Sequence, residues 1–206
     1  MAIDSLPRNL LPGVIFELHS ILEVIEPAKL FPQEQPLEVE LGSGDGSFLV
    51  DYAREHPDRN FLGVERLLGR LRKLDRKGRL AGVTNLRGVR IESSYLLRYL
   101  LPAQSVMALH IYFPDPWPKR KHRRHRLINE EFPSLAHKVL QPDGMVFLRT
   151  DDANYFEQMF AVFKSSPFFV ERETPQDLAG VLTDFEREFH SRGIQTRRAT
   201  YQARPL

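Results

Sequence analysis

From residue 37 onward, short runs of β character alternate with segments of helical period, and this alternation limits the fold more than any other feature. "LEVEL" (37–41), "FLGVE" (61–65), "LRGVRI" (86–91), "VMALHIYF" (106–113) and "GMVFLRT" (144–150) read as strands. Helical patterns fall at 47–55, along the Leu67/Leu71/Leu74 stripe, at 126–140 with Pro133 as a kink or break, and at 154–164. "FFVERE" (168–173) and "IQTRRATYQAR" (194–204) add two closing strands. Strand and helix alternating at this spacing predict an α/β fold, a mainly parallel sheet with helices on both faces. Ligands in such sheets sit at the carboxyl ends of the strands. Functional residues are therefore expected at 40–46, Glu65, 92–94, 113–118 and 150–152.

Upstream, Leu11, Ile15, Leu18, Leu22 and Ile25 recur at steps of four and three, an amphipathic helical stripe that Pro27 is expected to end. The expected organisation is one domain, with a helical segment at 1–31 and an α/β core at 37–206. No apolar run approaches the ~20 residues of a membrane span. The opening "MAIDSLPRNLLPG" lacks the basic and apolar regions of a secretory signal. There is no cysteine, which excludes disulfides, zinc thiolates and thiol catalysis and fits a cytoplasmic location.

The net charge of +2 hides a segregation. Residues 66–79 hold seven Lys/Arg and one Asp, and residues 119–126 hold six Lys/Arg and no acid. These 22 residues carry +12, which leaves −10 for the other 184. Separation on this scale points to a polyanionic partner, and nucleic acid is the usual one.

"ELGSGDG" (40–46) follows the first strand and opens a helix. Gly42, Gly44 and Gly46 permit positive φ and close ligand approach, and the helix start offers free N–H groups. The spacing is G-x-G-x-G rather than the dinucleotide G-x-G-x-x-G. Glu40 would repel a pyrophosphate and suits an ammonium, while Glu65 can accept both hydroxyls of a ribose. A nucleoside carrying an amino acid, S-adenosyl-L-methionine, fits this set; a dinucleotide remains compatible with Glu65 alone. "IESS" (91–94) ends the third strand, where a polar residue can meet an adenine.

"FPDPWPKRKHRRHRL" (113–127) leaves the fourth strand. Proline fixes its own φ and displaces the preceding residue from the helical region. Phe113, Asp115 and Trp117 are accordingly expected to be extended, with Asp115 presented at the strand end and Trp117 packed in the core.

Taken together, "FPDPWPKRKHRRHRL", "ELGSGDG", "GVE", "RTDD" and "TDFEREFHSRG" resemble the tRNA (guanine-N7-)-methyltransferases of the bacterial TrmB type over roughly residues 37–193. The resemblance implies a Rossmann-like class I S-adenosylmethionine-dependent methyltransferase fold with a mostly parallel seven-stranded sheet. It implies transfer of a methyl group to N7 of a guanine in tRNA, expected at position 46 of the variable loop. Glu40, Gly42, Gly44, Gly46 and Glu65 are then cofactor residues, with Glu92 or Ser93 at the adenine. Asp115 stands beside both methyl donor and guanine. Lys119, Asp151, Thr183, Asp184, Phe185 and Glu186 resemble substrate-binding positions, and Lys121, His122, Arg123, Arg124, His125 and Arg126 an RNA-contacting run. No metal is expected. A catalytically silent RNA-binding subunit, or an S-adenosylmethionine enzyme acting on another RNA or on protein, are the competing readings.

Overall fold

The computed structural model describes residues 13–205. Seven strands form one sheet: β1 (Leu37–Leu41), β2 (Asn60–Val64), β3 (Leu86–Val89), β4 (Val106–Tyr112), β5 (Leu140–Thr150), β6 (Phe169–Arg172) and β7 (Arg197–Ala203). The spatial order is β3-β2-β1-β4-β5-β7-β6. The first five strands are parallel, and β7 runs antiparallel between β5 and β6. The order reverses between β1 and β4, which opens a crevice at their carboxyl ends, the usual ligand position in such sheets.

Helices cover both faces: α1 (Pro27–Leu30), α2 (Ser47–Glu55), α3 (Leu68–Ala81), α4 (Ser93–Tyr95), α5 (Phe132–Val139), α6 (Ala153–Ser165), α7 (Gln176–Gly180) and α8 (Asp184–Ser191). A π turn, Leu96–Leu100, continues α4. Burial on both sides explains why β1 and β2 are buried at every position. The two-residue strand period divides β4 between two cores. Leu109 and Ile111 join the larger cluster, whereas Ala108 and Tyr112 join Phe48, Leu49 and Leu74 from α2 and α3.

Two glutamates in a central strand need an explanation. Glu38 is paired: it meets Arg59 at 2.8 Å and His110 Nε2 at 2.6 Å, and His110 Nδ1 lies 2.7 Å from the Tyr112 hydroxyl. Burial opposes its ionisation, but His110 and Arg59 still hold its carboxyl below the usual range. Glu40, two residues on and on the same face, has no such pairing.

The expected helix at 11–25 is not formed across residues 13–26, and Leu11 lies outside the described residues. The segment is a strap without helix: Val14–Phe16 pair with the open edge of β3, and Ile25 N donates to Leu100 O at 2.8 Å. Gly88 N donates to Val14 O at 2.9 Å and Phe16 N to Gly88 O at 2.8 Å. Pro27 starts α1 rather than ending a helix, because its missing N–H is harmless in a first turn. Pro133 likewise sits in the first turn of α5 and kinks nothing. A period of 3.6 was present, but the unpaired strand edge offered backbone bonds that the stripe did not reveal. Among the described residues no helix is long and apolar enough to cross a membrane.

Asp75 fastens the strap. Its Oδ1 accepts from Val14 N at 2.7 Å and Ile15 N at 3.4 Å, and its Oδ2 meets Arg79 at 2.8 Å. Asp75→Ala leaves the buried Val14 N–H unpaired, which costs about 1–3 kcal/mol. Urea denaturation should show a lower midpoint, with faster proteolysis near residue 20; an unchanged midpoint and cleavage rate would remove this role.

Candidate active site

Gly42, Glu65, Glu92, Ser93, Asp115 and His125 line one cleft at the crevice predicted by the strand order. Of the glycine turn, Gly42 lines this cleft, whereas Glu40, Gly44 and Gly46 stand behind its lining. Gly42, Gly44 and Gly46 all have positive φ, at 86°, 57° and 76°. They do different jobs. A Cβ on Gly42 or Gly44 would meet nothing within 4 Å, so the backbone there is open to a ligand. A Cβ on Gly46 would lie 2.6 Å from Leu74 Cγ, so this glycine lets α3 pack against the start of α2. The close-packing glycine of a nucleotide-binding turn is thus present at the shorter spacing.

Glu65 ends the second strand with both oxygens held: Oε2 accepts from Gly44 N at 3.1 Å and Oε1 from Leu67 N at 2.7 Å. Each oxygen retains a lone pair for a ligand. Glu40 is 4% exposed, and its Oε2 has no hydrogen-bond partner. Burial pushes its carboxyl up to about 8; Arg149 opposes this, and Asp45 and Glu65 add to it. A buried acid with a free oxygen describes a place for a cation. Glu92 caps α4, accepting from Ser94 N at 2.9 Å and Tyr95 N at 2.7 Å, which commits its carboxylate to the turn beside Ser93.

Asp115 is exposed on the wall of the same cleft. The corner around it is not extended as expected. Phe113 and Trp117 take positive φ, at 50° and 42°. Such conformations cost about 1–3 kcal/mol each and persist only where neighbours enforce them. Phe113 N still donates to Arg149 O at 2.8 Å, so the chain must leave the sheet abruptly after it. Trp117 is half-buried and outside the core; its ring packs 5.2 Å from His125 and 5.9 Å from His122.

The basic run divides. Lys119, Lys121, Arg123 and Arg124 are exposed around a 3-10 turn, Arg120–His125, with no ion-pair partner among the described residues. Arg126 is only 2% exposed. Its guanidinium donates to Pro116 O at 2.7 Å, Gln158 Oε1 at 2.7 Å and Asn154 Oδ1 at 3.0 Å, over the Tyr155 ring. The expected RNA contact at Arg126 is therefore corrected: this residue ties the proline corner to α6 and faces away from solvent.

At the end of β5, Asp151 is half-buried and Asp152 caps α6 through Tyr155 N at 2.7 Å. The segment 183–186 lies across the neighbouring strand ends. Thr183 and Glu186 form a capping box. Glu186 is fully buried: Oε2 accepts from Arg149 at 2.8 Å and Thr183 N at 2.9 Å, and Oε1 from Arg198 at 2.7 Å. Its oxygens are thus occupied within the protein, contrary to the expected contact with a base. Asp184 pairs with Arg187 at 2.5 Å and Lys77 at 3.7 Å. Of these four residues, Phe185 presents an open aromatic surface, 49% exposed and 6.0 Å from the Phe113 ring.

A family model described as "Putative methyltransferase" matches residues 34–199. The chain is 34% identical over 173 residues to a tRNA (guanine-N(7)-)-methyltransferase of Thermotoga maritima, covering 82% of this chain and 54% of that protein. It is 34% identical over 170 residues to a protein of the same name from Syntrophotalea carbinolica, covering 81% of this chain and 73% of that one. The chain belongs to the tRNA (guanine-N7)-methyltransferase family. It spans about half the length of the Thermotoga relative. Among solved structures, the 16S rRNA methyltransferase KamB shares its fold, with a TM-score of 0.58 and 18% identity over 86% of this chain and 92% of that one.

Within this member of the methyltransferase family, two structural arginines escaped the sequence reading. Arg149 interrupts an otherwise apolar strand, and a buried guanidinium always needs partners. Arg126 hides in a run whose other cations are exposed; the apolar Leu127 and Ile128 that follow were the available signal. Arg126→Ala should lower turnover and also the denaturation midpoint, since it leaves Pro116 O, Asn154 and Gln158 unpaired at a cost of about 1–3 kcal/mol. Arg124→Ala should leave the midpoint unchanged. Thermal denaturation of both variants checks this, and equal midpoints would contradict the division.

Proposed function

We propose that this chain transfers the methyl group of S-adenosyl-L-methionine to N7 of a guanine in tRNA, with the variable-loop guanine at position 46 as the expected target. The observation that carries the reading is Asp115 on the wall of the cleft that Gly42 of the glycine turn and Glu65 also line, in a chain of this family. The partnerless, buried Oε2 of Glu40 fits the cofactor's ammonium, and the open space over Gly42 and Gly44 fits its close approach. When bound, the cofactor supplies an electrophilic sulfonium methyl.

The protein's share is mostly positioning. Glu65 offers lone pairs to the ribose hydroxyls, and Glu92 and Ser93 border the adenine. Guanine N7 has a free lone pair and no proton at neutral pH, so no general base is needed. Asp115 orients the reacting groups and balances the positive charge that the purine acquires. Asp151 can accept from guanine N1–H or its exocyclic amine. Phe185, beside Phe113, offers a face for the base. N7 lies on the Hoogsteen edge, so the base has to be exposed, as enzymes acting on bases commonly arrange. Lys119, Lys121, Arg123 and Arg124 meet phosphates, with His122 and His125 alongside. The absence of cysteine fits work in the reducing cytoplasm.

Incubation with labelled S-adenosylmethionine and unmodified tRNA, followed by nucleoside mapping, should yield N7-methylguanosine; no incorporation would leave a silent RNA-binding subunit. Asp115→Ala should reduce turnover about a hundredfold while filter retention of tRNA persists, and full turnover would remove its role. Glu40 generates a further test. Its folded carboxyl keeps its proton up to about pH 8, and an adjacent ammonium favours the carboxylate. Cofactor binding at pH 7 should therefore release a proton and tighten between pH 6 and 8. Calorimetry in buffers of different ionisation enthalpy detects this release, and Glu40→Gln should abolish it. Binding without release in the unaltered protein would refute the pairing.

A further inference from the structure

Away from the cleft some exposed cations carry an acid partner, as Lys29 does with Glu26 and Arg192 with Glu188, and others, such as Arg90 and Lys164, carry none among the described residues. Helix α3 brings unpaired cations to the cleft itself. Arg66, just before it, and Arg70, Lys73 and Lys77 recur at steps of four, three and four, which aligns them on one flank. Lys77 turns to Asp45 at 2.8 Å and Asp184 at 3.7 Å. Arg66, Arg70 and Lys73 are exposed and have no ion-pair partner among the described residues. The one acid of α3, Asp75, is on the buried side and is taken by the strap and Arg79.

Like charges spaced three and four apart destabilise a helix by a few tenths of a kcal/mol per pair. A row without acids on such a helix is left free to meet an anion outside the protein. Its place restricts the choice. Arg66 and Arg70 border the same cleft as Asp115 and His125. They follow β2, whereas the 119–124 run follows β4, and β2 and β4 flank β1 with its glycine turn on opposite sides. The proposed cofactor carries a single carboxylate and no phosphate, so it cannot use this much positive charge.

We propose that Arg66, Arg70 and Lys73 form a second RNA-phosphate contact face. It grips the tRNA backbone across the cleft from residues 119–124, so that phosphates are held on both sides of the base that reaches Asp115. This rests on the tRNA reading above. It adds a site on α3, where Arg fits phosphate oxygens with its planar fork and Lys with a mobile point charge.

Equilibrium binding of unmodified tRNA to the full chain, measured against salt concentration, tests the face without requiring turnover. Each lost phosphate contact lowers the slope of log K against log salt by about 0.7–0.9. Arg70→Gln with Lys73→Gln should flatten the slope by about 1.5 and weaken binding, with cofactor affinity unchanged by calorimetry. Arg72→Gln with Arg76→Gln removes the same charge from the outer flank of α3, where both residues are exposed, and should leave the slope unchanged. An unchanged slope in the first pair overturns the proposal. Equal flattening in both pairs overturns it in favour of a diffuse charge effect, and loss of cofactor affinity with an intact slope assigns Arg70 to the cofactor instead. A chain that binds with the expected slopes but methylates no guanine would sink the enzymatic reading and leave the face standing.

Discussion

The ligand end of the sheet depends on the side chain of Arg149. It is 2% exposed and reaches three directions at once. It donates to Leu178 O, Val181 O and Glu186 at 2.6–2.8 Å, it lies 4.3 Å over the Tyr112 ring, and its charge opposes the raised pKa of Glu40. A buried ion pair adds little stability against a well-packed apolar alternative, but breaking one costs about 3–5 kcal/mol. The interaction is therefore better understood as a specifier of geometry. It fixes α7 and α8 over the strand ends, and through them the position of Phe185. Arg198 satisfies the other Glu186 oxygen, so the charge on Glu186 is fully used within the fold. Burial works against ionisation of Glu186, yet the Thr183 N–H and the two guanidinium groups hold its carboxyl below the usual range.

The same logic governs the proline corner. Prolines 114, 116 and 118 stiffen the chain but do not choose its direction. Two left-handed residues choose it, and the neighbours hold them there: β5 at Phe113, through the Arg149 carbonyl, and Arg126 at Pro116. The strain sits on either side of Asp115. A flexible loop would let that carboxylate wander, and the positioning role proposed for Asp115 depends on where its charge stands.

The sheet was legible because its strands are buried on both faces and so appear as short apolar runs bounded by turns. β1 and β4 needed nothing further. The crevice end was legible in outline because Glu65 and Asp115 follow strands directly and Glu40 lies near the end of β1, where the alternation placed them. Other features were not legible, each for a physical reason. The strap at 13–26 has a helical period, but backbone bonds of Val14–Phe16 to the β3 edge and of Ile25 to Leu100 hold it extended or bent instead. Thr183 and Glu186 were read as ligands, although T-x-x-E ahead of a helix also spells a capping box. Arg126 was read by the company it keeps, and composition cannot say which member of a basic run turns inward.

That last distinction bears on how charge serves this protein. A net +12 in 22 residues looked like a single instruction to bind a polyanion. The structure separates it into two physical roles. Arg126 and Arg79 are spent internally, one on the corner that carries Asp115 and the other on the Asp75 clasp of the strap. The cations that remain exposed lie on two elements that leave neighbouring strand ends on either side of the glycine turn. Arg126 shapes the cleft, Arg79 holds the strap, and Arg66 and Arg70 border the cleft's mouth. Loss of Arg126 would unpair groups inside the fold, whereas the exposed side chains of Arg66, Arg70 and Lys73 leave none behind. Position relative to the sheet, rather than density of charge along the chain, decides which role an arginine takes.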